Sequence, residues 1–228
     1  MWYVYFRRVA LAVFAVFIGV VLVLFLAFCN MFPVKADAEQ IVLEFPFLIE
    51  GTDLIAEYFV SYEGDFFEDA SDTFLINGAA LCVYNRGENH IDYASVYLET
   101  LDGVYCFEGT CIPPHSKVII LEKYRSAYPK SPVYYAAGKM KVNNKQSVMD
   151  KLQIEPIDMG RICVSNKSRE VLENVYLYYK RYDSLWDIYV GGITYAVCAE
   201  SLQQGESVIL SPANYANGYS KVFYATAD

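Results

Sequence analysis

The sequence contains few of the residues from which catalytic and metal sites are usually built. Its 228 residues include only two histidines, His90 and His115, and both fall in segments with the composition of turns. It contains no CxxC pair, no HExxH pair, no G-x-S-x-G elbow, no G-x-G-x-x-G loop and no phosphate-binding loop. We therefore expect a protein that is not an enzyme and that needs no cofactor and no metal ion.

Basic residues are scarce relative to acidic ones. The chain has 18 lysines and arginines against 27 aspartates and glutamates, which gives a formal net charge of −9. Nucleic acids and anionic lipid surfaces are bound mainly through basic side chains, so neither is an expected ligand. An excess of acidic side chains is typical of a well-solvated protein surface.

Charged residues are missing altogether from residues 9–29, which are almost entirely apolar. As a helix, this run is long enough to cross the ~30 Å hydrocarbon core of a bilayer. Arg7 and Arg8 precede the run, and every acidic residue follows it. Because basic flanks stay in the cytoplasm, we predict a single-pass signal-anchor in the plasma membrane, with residues 1–8 cytoplasmic and the C-terminal part extracytoplasmic.

Two other interpretations of this hydrophobic run stay open. A cleaved signal peptide would use the small residues of residues 34–38, but the run is longer than a usual signal sequence and ends well before that site. A lipoprotein would use Cys29, but Phe28 stands where a small residue is usual. An uncleaved anchor accounts best for the length and the flanking residues.

The rest of the chain contains an internal repeat. The segment "CVYNRGENHIDYASVYL" from Cys82 returns as "CVSNKSREVLENVYLYY" from Cys163. When Asn85 is aligned on Asn166, apolar and polar residues alternate in both copies, as in half-buried strands. Further features recur in the same order, namely two-residue turns at Asp102-Gly103 and Gly191-Gly192, strands that begin at Val118 and Val208, and V-x-Y-A segments from Val133 and Val222.

Short strands rich in valine and tyrosine, with turns every ~8–12 residues, are typical of immunoglobulin-like β-sandwiches. We therefore predict an all-β fold with two tandem immunoglobulin-like sandwiches, residues 58–137 and 138–228, preceded by one N-terminal transmembrane helix. Residues 30–57 form the juxtamembrane segment, whose apolar content favours a strand or a helix packed on the first sandwich. A single larger sandwich built from both halves is the alternative.

The repeated features resemble a known family. The "NRG" turn at residues 85–87, the aliphatic hairpin and the V-I-L strand are similar to those of cell-adhesion-related immunoglobulin-like domains of bacterial surface proteins. The resemblance covers roughly residues 78–123 and 160–212, and the second copy departs from it at Lys167-Ser168, where a glycine is expected. It implies a spacer or binding module on the cell surface, with no catalytic residues.

Two further patterns predict local sites. Cys106 and Cys111 bracket "FEGT", and a hairpin turn at Glu108-Gly109 would bring them together as a disulfide; the alternative is a set of buried free cysteines. An acidic cluster offers oxygen ligands of the kind that calcium prefers, but its spacing does not fit an EF-hand loop, and a solvated acidic loop is the simpler interpretation. The cluster consists of Glu63, Asp65, Glu68, Asp69 and Asp72.

The binding-site hypothesis concerns an insertion in the second copy. Residues 176–190 are longer by about eight residues than the equivalent stretch of the first copy, and insertions in one repeat often form working loops. The insertion contains Tyr182 and Trp186, which are of the residue types favoured at interfaces when exposed. Longer and well-packed strands are the alternative interpretation.

These patterns predict a membrane-anchored extracytoplasmic protein that acts as a structural or interaction module in the bacterial cell envelope. The expected partners are the membrane, through the N-terminal helix, and an envelope protein. The alternative is a carbohydrate-binding surface module that stacks glycan on exposed tyrosine and tryptophan rings. Exposed aromatic residues clustered on one sheet face would favour that alternative.

Overall fold

The computed structural model describes residues 41–66, 73–158 and 160–228. This part of the chain consists of β-strands and one short 3-10 helix, so the predicted all-β class is confirmed. Within these residues no helix has the length and apolar character needed to cross a membrane. The predicted anchor, residues 9–29, lies outside the described residues.

The elements alternate between long strands and short turns. In chain order they are β1 (Phe47–Leu48), β2 (Leu54–Asp65), β3 (Phe74–Asn85), β4 (Ile91–Thr100), β5 (Gly103–Ile112), β6 (Lys117–Leu121), β7 (Val133–Val142), the 3-10 helix (Met149–Lys151), β8 (Leu152–Asp158), β9 (Arg161–Asn166), β10 (Leu172–Asp183), β11 (Ile188–Leu202), β12 (Ser207–Leu210) and β13 (Ser220–Thr226).

The strands form three sheets. One has seven strands in the order β1-β2-β3-β6-β11-β10-β13, and the other two have the orders β12-β9-β8 and β5-β4-β7. Among the described strands every neighbouring pair is antiparallel except β6 and β11, which are parallel. Antiparallel pairing fits the apolar–polar alternation of the strands, because one face is buried and the other is solvated.

The two sequence copies have the same pairing order. In the first copy, β2–β7, the strands pair as β2-β3-β6 and β5-β4-β7; in the second, β8–β13, they pair as β8-β9-β12 and β11-β10-β13. Each copy has its own buried core with residues from both of its layers. The two copies therefore have equal topology, and they lie within one compact unit, residues 42–228.

One strand joins the two copies. The first part of β11 pairs in parallel with β6, with Tyr189 opposite Val118 and Val190 opposite Ile119. The Tyr189 side chain belongs to the core of the first copy, although the residue lies on a strand of the second. Through this pairing, β6, the edge strand of the β2-β3-β6 layer, joins the β11-β10-β13 layer, and the two layers form one seven-stranded sheet.

The predicted glycine turns are only partly correct. The first hairpin forms, but its turn residues are Leu101 and Asp102, while Gly103 begins β5 with a φ of 146°. The prediction of a tight turn at Gly191-Gly192 is wrong, because both glycines lie inside β11. The β10–β11 ribbon extends beyond them to a turn at residues 184–187.

The hairpin that would bring Cys106 and Cys111 together does not form. Glu108 and Gly109 lie inside β5, so both cysteines are on one continuous strand, and both thiols are free. Five residues of strand place the two Cα atoms ~16 Å apart, whereas a disulfide needs ~5.5 Å. Burial raises the pKa of both thiols, as expected for the free, hydrophobic alternative.

Candidate functional site

The turn of the β10–β11 ribbon presents two large apolar side chains to solvent. Leu185 is 82% exposed and Trp186 is 74% exposed. The Asp183 carboxylate shapes the turn, because its Oδ1 accepts the backbone N–H groups of Leu185 at 2.9 Å and Trp186 at 3.2 Å. A short polar side chain that binds the backbone two residues ahead is a common way to fix such a turn.

Tyr182 supports this turn rather than presenting itself at the tip. Its hydroxyl donates a hydrogen bond to the Asp187 carboxylate, and its ring packs against the core of the first copy. That hydrogen bond, with burial, raises the pKa of Tyr182. The Lys221 ammonium lies 4.2 Å from the centre of the same ring. The structure thus separates the two predicted binding residues, with Trp186 outward and Tyr182 beneath it.

A buried lysine braces the ribbon. Lys180 is fully buried, and its Nζ donates hydrogen bonds to the carbonyl oxygens of Gly192 at 2.7 Å and Ile193 at 2.9 Å, with Gly191 at 3.4 Å. The pairing of β10 with β11 is irregular at this point, between Tyr179 and Arg181. The lysine therefore adds hydrogen bonds to backbone carbonyl groups at the point where the pairing of the two strands is irregular.

Two threonines tie the ribbon to the first copy. Thr110 Oγ1 donates to the Gly192 carbonyl at 3.1 Å and accepts the Thr194 N–H at 3.0 Å. Thr194 Oγ1 donates to the Thr110 carbonyl at 2.7 Å. Together with the β6–β11 pairing, these bonds place the ribbon rigidly against the first copy.

An open cavity of about 480 Å³ lies beside these threonines. Its wall includes Glu108 and Lys123, whose carboxylate and ammonium groups are 2.8 Å apart. The Arg125 guanidinium is 4.8 Å from the centre of the Phe66 ring, which forms another part of the wall. The wall thus contains an ion pair and a contact between a guanidinium group and an aromatic ring. Neither of the two histidines lines it.

The histidines do not form a joint site. The His115 Nε2 lies 3.1 Å from the Glu88 carboxylate at the surface, while the His90 ring packs 4.1 Å from the Tyr224 ring. His90 Nδ1 is buried and finds no hydrogen-bond partner among the described residues. Burial lowers the pKa of His90. In the described part of the chain, no group of three or more His, Cys, Asp or Glu side chains is arranged to hold a metal ion.

Half-exposed tyrosines cluster on the outer face of β4 and β7. Tyr93, Tyr97 and Glu99 all point outward from β4. Tyr135 of β7 pairs with Glu99 and therefore points to the same side. Residues two apart on one strand share a face, so the three side chains lie on the same face of this sheet, with Ser95 between Tyr93 and Tyr97. Three residues of the acidic cluster, Glu68, Asp69 and Asp72, lie outside the described residues, so the predicted cluster is not tested.

Two determinants of the site were missed by sequence reasoning. These are Lys180 and Tyr189, neither of which the sequence pattern singled out as a structural residue. The only available signal was the extra length of residues 176–190. A scan against protein-family models found no match, and a search of curated proteins found no significantly similar sequence.

Proposed function

We propose that the protein is a single-pass, membrane-anchored interaction module of the bacterial cell envelope, whose two immunoglobulin-like sandwiches present the β10–β11 tip to a protein partner. The N-terminus lies in the cytoplasm, and the sandwiches lie outside it. Neither a nucleic acid nor a cofactor takes part.

The observation that supports this function best is the exposure of Leu185 and Trp186 on a braced ribbon. Large apolar side chains in solution are unfavourable, and a rigid exposed tryptophan is a typical interface anchor. The ribbon is held by the buried Lys180 and by β6, so the tip is ordered before a partner arrives. Preorganisation lowers the entropic cost of binding.

Photocrosslinking in intact cells tests this function. A photoreactive amino acid replaces Trp186 in the full-length chain, and cross-linked envelope proteins are identified by mass spectrometry. The control position is Tyr124, an aromatic residue of similar exposure that follows β6 and is not part of the β10–β11 turn. We expect one dominant partner from position 186 and none from position 124. No product, or the same products from both positions, would refute a partner at the tip.

The orientation is tested separately. An alkaline phosphatase domain fused after Asp228 should be active, because this enzyme folds only outside the cytoplasm, whereas a fusion before Met1 should be inactive. The reverse pattern would refute the proposed topology without affecting the partner experiment.

A second candidate function is glycan binding by the tyrosine surface of β4 and β7. The supporting observation is the clustering of Tyr93, Tyr97 and Tyr135 on one sheet face. Stacking of sugar rings on these side chains predicts that purified envelope glycan binds the full-length protein and that Tyr97→Ala abolishes binding. Tyr219→Ala, an exposed tyrosine elsewhere, is the matched control.

A further inference from the structure

One side of the first copy is closed by the chain's own N-terminal segment, residues 42–50. Leu43 N donates to the Val133 carbonyl of β7 at 2.8 Å, and Gly138 N of the same strand donates to the Glu50 carbonyl at 2.9 Å. On its other side the segment pairs with β2, with Phe47 opposite Ala56. The segment therefore fills the gap between two edge strands, β2 and β7, of the first copy.

The side chains of this segment alternate between inside and outside. Leu43, Phe45 and Phe47 pack against the first core, while Glu44 and Pro46 are exposed. Beneath them the inward-facing residues of β2 are buried, namely Leu54, Ala56 and Phe59. An extended segment with large apolar residues at every second position thus completes this core.

The second copy lacks this cover in the described part of the chain. Leu152 pairs with Asn166 as Leu54 pairs with Asn85, so β8 is the counterpart of β2. Yet Leu152 and Ile154 are only half-buried, and Pro156 is exposed. The same strand position that is covered in the first copy is open in the second.

The linker reaches the second copy by a different route. Val148 N donates to the Ala225 carbonyl at 2.9 Å, and the Tyr224 hydroxyl donates to the Lys145 carbonyl at 2.8 Å, so the linker meets only the last residues of β13. Between β8 and the start of β13 a groove of about 470 Å³ remains. It is lined by apolar side chains that include Leu152, Ile154, Tyr215 and Val222, with Lys221 at its wall.

We propose that this groove binds an extended segment of a partner protein, with large apolar side chains at alternate positions, that lies beside β13 as residues 42–50 lie beside β7. β13 and β8 are the terminal strands of their sheets, so the backbone of β13 offers an edge for added strand pairing. The cationic Lys221 favours an acidic residue between the apolar ones, as Glu44 stands between Leu43 and Phe45.

The groove adjoins the tip of the proposed function, because Tyr182 and Ser184 line it, but the two exposed anchors of that tip, Leu185 and Trp186, do not. A partner segment is favoured over a second copy of this chain, since the chain's only matching segment within the described residues is already used in its own first copy. Failure of peptide binding would thus leave the tip experiment unaffected.

The probe is a synthetic peptide with the sequence of residues 42–48, Val-Leu-Glu-Phe-Pro-Phe-Leu, with a fluorescent label. Its binding to the full-length protein in detergent is measured by fluorescence anisotropy. We expect saturable binding, and at least about tenfold weaker binding for a peptide in which Leu43→Ser, Phe45→Ser and Phe47→Ser are combined. Equal binding of the two peptides, or no binding, would overturn the proposal.

Variants of the protein locate the bound peptide. Val222→Asp places a charge in the groove and should weaken binding at least about tenfold, while Ile209→Asp, at an exposed position of β12 outside the groove, should leave it unchanged. Lys221→Glu, at an exposed position, gives a second variant that reverses the charge at the groove wall and should also weaken binding of the acidic peptide. Melting curves show that each variant is folded.

A cross-linking group at the Phe45 position of the peptide gives an independent readout. Cross-links to β8 or β13 support the groove. Cross-links to β2 or β7 would show exchange with the chain's own segment and would overturn the proposal. Concentration-dependent dimers whose formation competes with the peptide would identify a second copy as the occupant and would overturn it as well.

Discussion

One buried asparagine in each copy explains why the sequence repeats where it does. Asn85 Nδ2 donates to the carbonyls of Asn89 and Pro113 at 3.0 Å each, and Asn166 Nδ2 donates to those of Glu170 at 2.7 Å and Leu202 at 2.9 Å. Each amide joins the end of one strand to the following turn and to the end of a strand in the other layer. A valine or leucine could not satisfy these carbonyl groups.

Replacing this amide should therefore be costly. Asn166→Ala leaves the buried Leu202 carbonyl without its donor, and we expect a loss of roughly 2 kcal/mol in the free energy of unfolding. Urea denaturation followed by fluorescence measures the loss. Asn144→Ala, at an exposed position, is the matched control and should change stability by less than ~0.5 kcal/mol. Equal effects of both substitutions would contradict the role assigned to Asn166.

A second prediction for a single residue concerns Lys180. Lys180→Met keeps the aliphatic chain but removes the ammonium group that binds the Gly192 and Ile193 carbonyls. We expect destabilisation by roughly 2–4 kcal/mol, because the charge-assisted hydrogen bonds of the ammonium group to these carbonyls would be lost. Thermal melting compares it with Lys167→Met, an exposed lysine whose replacement should have little effect. A melting temperature unchanged from the wild type would show that the carbonyls find other donors.

At the scale of elements, the β10–β11 ribbon has two neighbouring parts with different roles. The start of β11 places Tyr189 in the core of the first copy, and the turn before it exposes Trp186. The extra residues of the insertion are needed to reach β6, which lies in the other copy. The insertion is therefore both a structural bridge and the support of a candidate interface.

Two substitutions on this ribbon separate these functions. Tyr189→Ala removes a buried ring and should lower stability by roughly 3–5 kcal/mol. Trp186→Ala, only three positions away, should change stability by less than ~0.5 kcal/mol, since that ring is exposed. Calorimetry on both variants measures the difference. Unfolding caused by Trp186→Ala would instead favour the interpretation in which the tryptophan is a packed structural residue.

At the scale of the whole molecule, the two copies also meet through His90. This residue follows the turn after β3, and its ring packs on Tyr224 and Phe223 of β13. Burial lowers its pKa in the folded protein. A charged imidazole at this position would have to be desolvated between two aromatic rings.

Stability should therefore depend on pH in the range where histidine titrates. The unfolded chain binds a proton at His90 below about pH 6.5, and the folded protein binds it only at lower pH. Stability is thus full above that value and falls as the pH is lowered towards 5. Melting temperatures between pH 5 and 7 measure the slope, which should be smaller for His90→Gln. An equal slope in both proteins would exclude His90 as its source.

Much of the strand pattern was predictable from sequence, because it depends on local alternation. The strands after Asn85 and Asn166, and those near Val118 and Val208, lie where the pattern placed them. In the described part of the segment predicted as juxtamembrane, residues 41–57, the choice between strand and helix is decided for a strand, β1, whose neighbours pack on the first core. Glycine pairs were less reliable guides, because Gly191 and Gly192 lie inside β11, where Lys180 of the neighbouring strand binds their carbonyl groups.

Local alternation along the chain is enough to place most of the strands and their apolar faces, since side-chain direction alternates along an extended backbone. Three features follow from folding alone: β11 pairs with β6 across the two copies, Lys180 is buried, and, within the described residues, residues 42–50 cover one copy while the other is open. Those outcomes depend on contacts between residues far apart in the chain, and such contacts leave no regular spacing in the sequence.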